Sequence, residues 1–191
     1  MPLNIPNLLT WLRILAIPLF VGILYFPEFT DWLTTAEANM VATGIFVVAA
    51  ITDWFDGYLA RRLNQTSAFG AFLDPVADKL MVAAALIVLV EMGRADALVA
   101  LIIIGREITI SALREWMAQI GQAKSVAVSL LGKVKTTAQL IAIPFLLYDG
   151  LLFNVIDCRT TGRILIWVAA ILTLWSMFYY LKAAFPRTPV K

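Results

Sequence analysis

The chain has 191 residues, enough for one domain, of which 61% are hydrophobic and only 15% charged, with a formal net charge of +2. Soluble domains carry about 45–50% apolar and about 25% charged residues, so this chain has too little polar surface to coat a water-soluble globule, and the bilayer is its expected solvent. The lack of histidine excludes His-based triads, zinc sites and pH switches. The single Cys158 excludes a disulfide framework, and so small a net charge offers nucleic acid no basic surface.

A membrane-spanning helix needs about 20 mostly apolar residues. Six stretches qualify: 7–27, 38–60, 75–92, 95–118, 126–153 and 162–184. The expected fold is an all-α integral membrane protein, six transmembrane helices forming one domain over residues 1–191. The first span holds Arg13 inside its apolar run, and Pro27-Glu28-Phe29 is a poor cleavage site, so it reads as a retained helix ended by Pro27. The second carries Asp53 and Asp56 in its last turns, at i and i+3 and therefore on one face. The third is opened by Asp74-Pro75, an N-cap followed by proline at the first helical position, a role that can coexist with a site role for Asp74. Asp74 and Asp78 again share a face, at i and i+4. Gly93-Arg94-Ala95-Asp96 separates the third span from the fourth. The fourth and fifth are amphipathic at one end, with Arg106, Glu107 and Arg114, then Lys133 and Lys135.

Lysine and arginine sort by loop. One side holds the N-terminus, the 61–75 connection, the 114–135 region and the C-terminal tail, with most of the basic residues; the other carries only Arg94, Arg159 and Arg163. By the positive-inside rule both termini are cytoplasmic.

The loop between the second and third spans is short, so the two helices are expected as antiparallel neighbours with Asp53, Asp56, Asp74 and Asp78 converging at the cytoplasmic surface. Capping cannot explain Asp53, Asp56 and Asp78 together, and an ionised carboxylate inside a transmembrane segment costs several kcal/mol. Lys79 and Arg61 could neutralise part of the charge as ion pairs, leaving an excess that suits a hard divalent ion, Mg²⁺ or Mn²⁺. Gly57, Ala60 and Gly70 read either as helix-packing residues or, beside Arg61, as a backbone surface that a bulky anion can approach. Metal, arginine and close approach together point to a phosphate, specifically a pyrophosphate. With no histidine available, a carboxylate is the natural base, and Asp78 at the edge of the group is best placed; its alternative is a plain fourth ligand, and the two roles can be shared.

Taken as one string, Asp53-x2-Asp56-Gly57-x2-Ala60-Arg61-x8-Gly70-x3-Asp74-x3-Asp78 resembles the signature of the CDP-alcohol phosphatidyltransferases, with all eight defining positions at the family spacing. Asn7-Leu8-Leu9-Thr10 with Arg13, Gly105-Arg106-Glu107, Ser111-Ala112-Leu113-Arg114 and Gly132-Lys133-Val134-Lys135-Thr136 look like the bacterial branch of that family that makes phosphatidylglycerophosphate. The resemblance implies a six-helix fold in the bacterial cytoplasmic (inner) membrane, a homodimer, and a cytoplasm-facing site with two metal ions. It implies CDP-diacylglycerol as donor, a hydroxyl compound as acceptor, and CMP as leaving group. Carried over, it makes Asp53, Asp56, Asp74 and Asp78 the metal ligands and Asp78 also the general base. Gly57, Arg61 and Ser67, with Ala60 and Gly70 beside them, would contact the CDP-diacylglycerol head group. Asn7, Thr10 and Arg13 would close over the nucleotide; the alternative for Asn7 and Thr10 is capping of the first helix.

The second basic group, Arg106, Arg114, Lys133 and Lys135, reads either as positive-inside residues snorkelling to lipid head groups or as an acceptor site. Arg106, Lys133 and Lys135 interrupt apolar runs, buried cations need anions, and Glu107 supplies only one. An acceptor carrying its own phosphate supplies the rest, which favours glycerol 3-phosphate. The alternatives are a sister transferase acting on inositol phosphate or serine and, from another class, a cation or proton transporter, against which stands the clustering of the acids at one membrane face.

Overall fold

The computed structural model describes residues 5–62, 68–121 and 130–184; within the helices, the side chains of 5–7, 54–62, 68–69, 71–72, 74, 130–133, 179–180 and 182–184 are outside the description. Six helices and one small hairpin follow in order: α1 (Ile5–Phe29), α2 (Thr35–Arg62), α3 (Ala68–Glu91), α4 (Ala97–Gln119), α5 (Leu130–Tyr148), β1 (Leu151–Leu152), β2 (Ile156–Asp157) and α6 (Cys158–Ala184). Helix α1 packs on α2 and α3, α5 on α6 and α2, and α4 on α6 and α3. The buried centre is aliphatic, with Leu86, Leu89, Ile103, Ile143, Leu146 and Ile166 around the tilted Phe20–Phe46 ring pair, centroids 6.4 Å apart. Gly162 lets α6 approach α5 closely: a Cβ there would lie 2.8 Å from Leu146 Cγ.

The outer surface is apolar as well. Leu15, Leu19, Val48, Ile87, Leu101, Ile164, Trp175 and Phe178 are all exposed, an arrangement that water would penalise and lipid does not. Helices α1, α2 and α6 each contain a run long and apolar enough to cross a bilayer, Leu8–Phe29, Thr35–Asp53 and Cys158–Phe178. Helices α3 and α4 are interrupted by charges such as Asp78, Lys79, Arg106 and Glu107.

Several boundaries differ from those read in the sequence, each for a local reason. Pro27 does not end α1: its ring removes one donor, but Thr30 N–H still reaches Phe26 O at 3.2 Å and the helix closes at Phe29. Helix α2 starts earlier than residue 38 because Thr34 and Glu37 form a capping box: Thr34 N–H donates to Glu37 Oε2 at 2.9 Å and Glu37 N–H to Thr34 Oγ1 at 3.3 Å. Asp74-Pro75 does not open α3. The helix begins at Ala68, so Pro75 is interior and Asp74 is no cap; Gly70 and Leu73 are buried on this added turn, and their packing outweighs the missing proline donor. Asn7 and Thr10 likewise fall within α1, which starts at Ile5, so capping is excluded for both.

The fifth span does not run to residue 153. Helix α5 stops at Tyr148, Asp149 takes a left-handed φ of 53°, and the chain turns through an antiparallel hairpin. Its tip is the three-residue stretch 153–155, where Phe153 and Asn154 both have positive φ and Val155 N–H reaches Leu152 O at 3.2 Å. Asp157 then caps α6, accepting from Arg159 N–H at 3.0 Å and from the Thr160 hydroxyl at 2.6 Å. The Thr160 hydroxyl and backbone N–H hold its carboxyl below the usual aspartate range. The break at 93–96 is where the sequence puts it. Gly93 (φ 66°) closes α3 in a Schellman turn, with Arg94 N–H on Leu89 O at 2.8 Å and Gly93 N–H on Val90 O at 3.0 Å.

Arg94 follows that turn into a buried position at the end of the bundle opposite the acids. Its guanidinium binds Leu147 O at 2.8 Å, Leu146 O at 3.4 Å, Asn39 Oδ1 at 3.0 Å and Asp149 Oδ2 at 3.3 Å, tying α2 and α5 to the α3–α4 turn. Arg94→Met is expected to lower stability by about 3 kcal/mol, because two carbonyls, an amide and half of an ion pair lose their partner together. Thermal unfolding in detergent would measure it, and a midpoint at the wild-type value would contradict a structural role.

Candidate active site

Successive helices alternate direction, so the early turns of α1, α3 and α5 and the late turns of α2, α4 and α6 share one end of the bundle. That end gathers the polar residues that interrupt the apolar spans. Arg13 of α1, 3% exposed, donates from Nη1 to Asp53 Oδ1 of α2 in an ion pair. Asp78 of α3 is accessible and lines a small space with Arg13, Phe46, Ala49 and Met81. On its other side Asp78 lines a second cavity of about 70 Å³ with Lys79, Glu107, Thr136 and Gln139.

Glu107 of α4 is the hub of the second cavity. Lys135 of α5 pairs with its Oε1, and Arg106 Nη1 reaches the same oxygen at 3.3 Å. Arg106 Nη2 also donates to Ser176 Oγ of α6 at 3.2 Å. Both cations are nearly enclosed while the carboxylate is 27% exposed. Two positive side chains thus converge on one carboxylate beside a cavity that Glu107 lines.

Outside the bundle, between α1 and α2, runs an apolar groove of about 460 Å³ lined by Leu9, Leu12, Ala16, Ile45, Val48 and Thr52, with Arg13 on its wall.

The structure therefore unites Arg106 and Lys135 on Glu107, pairs Arg13 with Asp53, and has Arg13 share a small space with Asp78. Thr10 is buried one turn before Arg13, and Gly70 is buried near the start of α3. Arg114 is exposed on α4, about 12 Å further along the axis than Arg106. Asp56, Gly57, Ala60 and Arg61 belong to α2, Asp74 to α3, Asn7 to α1 and Lys133 to α5, but their side chains lie outside the described residues, and Ser67 lies outside them altogether. Among the described residues no three acidic, cysteine or histidine side chains group closely enough to hold a metal.

The donor chemistry still fits a hard cation. Helix α2 is continuous through Asp53 and Asp56, and α3 through Asp74 and Asp78, so each pair lies along one helical face. All four donors would be carboxylate oxygens, the set that Mg²⁺ and Mn²⁺ prefer.

Three contacts were not legible in the chain. Arg61 and Lys79 are the cations nearest the acids in sequence, yet among the described residues it is Arg13, forty residues away, that pairs with Asp53; the sole signal was a lone arginine in an apolar run. Glu107 meets both Arg106 and Lys135 instead of its sequence neighbour alone, and Ser176 gave no signal at all.

A family model described as CDP-alcohol phosphatidyltransferase matches residues 3–175. The chain is also 52% identical over 186 residues to the CDP-diacylglycerol–glycerol-3-phosphate 3-phosphatidyltransferases of Salmonella typhimurium (strain LT2) and Escherichia coli (strain K12), a match that covers 96% of this chain and 96% of each relative.

Proposed function

The chain belongs to the CDP-alcohol phosphatidyltransferase family, and from that premise we propose that it transfers the phosphatidyl group of CDP-diacylglycerol to sn-glycerol 3-phosphate, giving phosphatidylglycerophosphate and CMP. The observation that carries the reading is the position of Asp78. It lines both a small space shared with Arg13, the partner of Asp53, and a cavity shared with Glu107, the carboxylate on which Lys135 and Arg106 meet.

Asp53, Asp56, Asp74 and Asp78 would hold two divalent ions, Mg²⁺ or Mn²⁺. When bound, such ions supply charge neutralisation for a pyrophosphate and for the departing phosphate. The remaining work is positioning, as in phosphoryl transfer generally. Arg13 holds the Asp53 carboxylate in place. Gly57, Ala60, Arg61, Ser67 and Gly70, with Asn7 and Thr10 from α1, would receive the head group of the donor. The groove between α1 and α2 is apolar and of a size for an acyl chain, and Arg13 joins it to the polar end. Lys135 and Arg106, with Lys133 and Arg114 nearby in sequence, would bind the acceptor phosphate. The acceptor hydroxyl loses its proton to Asp78 as its oxygen bonds to the phosphatidyl phosphorus, and the bond from that phosphorus to the CMP oxygen breaks.

The distribution of lysine and arginine supports a multi-pass protein of the cytoplasmic membrane with this end facing the cytoplasm. A homodimer is part of the same family-based reading.

Purified protein incubated with CDP-diacylglycerol and Mg²⁺ is expected to release CMP when given glycerol 3-phosphate and not when given serine or inositol phosphate, and EDTA is expected to stop it. Release that survives EDTA, needs no acceptor, or prefers serine would refute the proposal.

A further inference from the structure

One buried polar side chain beside Asp78 takes no part in the chemistry above. Gln139 lies on α5 and is 5% exposed. Its amide is open to the cavity shared with Asp78, Lys79 and Glu107, and it makes no hydrogen bond among the described residues. An amide offers two donors and two lone pairs, and burying it without partners is costly. A packing role alone would be met at lower cost by leucine or methionine.

The geometry points to Gln139 as the residue that reads the secondary hydroxyl of a three-carbon polyol phosphate. This inference rests on the proposed acceptor reaction and goes further by assigning its selectivity. Lys135 and Gln139 are i and i+4, on one face of α5 and about 6 Å apart along its axis. A phosphate held by Lys135 and Arg106 therefore leaves the adjoining carbon chain level with Gln139, with Asp78 on the same cavity wall for the hydroxyl that reacts. The volume of about 70 Å³ suits a short polyol and excludes a nucleotide or an acyl chain, since on the same measure about 10–15 Å³ already holds one water molecule. A carboxamide can donate to and accept from a hydroxyl at once, whereas a methylene at that carbon leaves it empty-handed. Sites that hydrogen-bond a substrate hydroxyl discriminate against the analogue that lacks it because the buried partner is then unpaired.

The test compares kcat/KM for sn-glycerol 3-phosphate with that for 3-hydroxypropyl phosphate, which lacks only the secondary hydroxyl. Wild-type protein is expected to favour the former by about 100-fold or more. Gln139→Leu is expected to lower kcat/KM for glycerol 3-phosphate by about 100-fold, to change the value for 3-hydroxypropyl phosphate less than about threefold, and to leave the KM for CDP-diacylglycerol unmoved. Gln139→Met, unbranched and close to glutamine in shape, should show the same collapse of selectivity, and the retained turnover of 3-hydroxypropyl phosphate reports that each variant is folded. Equal losses on both acceptors, or an unchanged ratio, would overturn the inference. Wild-type protein that releases no CMP with glycerol 3-phosphate removes the acceptor assignment itself, and this inference with it, before any variant is made.

Discussion

Asp78→Asn is expected to reduce CMP release by about 10³-fold, in the middle of the range that a positioned general base contributes, with little change in stability. The carboxylate is accessible and lines two spaces instead of filling one, so its amide isostere leaves the packing of α3 intact. The chain has no histidine, and among the described acids Asp78 alone lines both the space at Arg13 and the cavity at Glu107. Asn cannot take a proton, but it can still offer one oxygen to a cation. Raising Mn²⁺ about tenfold separates the two roles: recovery of activity means that Asp78 served only as a ligand, and persistent loss means that it is the base. A variant that keeps more than about a tenth of wild-type turnover would remove Asp78 from the mechanism.

The second large effect is on acceptor affinity. Lys135→Ala is expected to raise the KM for glycerol 3-phosphate by about 100-fold while leaving that for CDP-diacylglycerol within about twofold, as hydrogen bonds to charged groups contribute about 1.5–3 kcal/mol each. Lys135 is buried, paired with Glu107 and remote in sequence from the acids of α2 and α3, so its loss should not reach the donor end. Arg106→Ala should split the two constants in the same direction, with an added loss of stability because its link to Ser176 joins α4 to α6. Initial rates at varied acceptor and fixed donor, then the reverse, measure both. Equal rises in the two constants would contradict an acceptor site at this cluster.

Composition and local spacing were enough to place the chain in a bilayer and to locate six helices, because lipid imposes one demand on every span: some twenty apolar residues with internal hydrogen bonds. The paired acids, the glycines and the lone cations inside apolar runs were visible for the same reason, since each is an exception to that demand. Local signals were weaker at helix ends. Asp74-Pro75 has the chemistry of a start and Pro27 that of a stop, yet each lies inside a helix: the turn added before Pro75 buries Leu73, and beyond Pro27 the helix runs on only through the exposed Glu28 and Phe29, since a proline removes just one donor. The hairpin at 151–157 was hidden because its Leu, Phe, Val and Ile residues extend the apolar run of α5, and only the left-handed residues Asp149, Phe153 and Asn154 break it.

What the sequence determined by itself is the solvent, the number of helices, the family and the residue types available for chemistry. Which of those residues meet was decided by the tertiary structure. Arg13 finds Asp53, Lys135 finds Glu107 and Gln139 comes to share a cavity with Asp78 across separations of twenty-eight to sixty-one residues. An ion pair inside a membrane protein is chosen by which helices lie side by side and at what height, and no periodicity within a single helix carries that information.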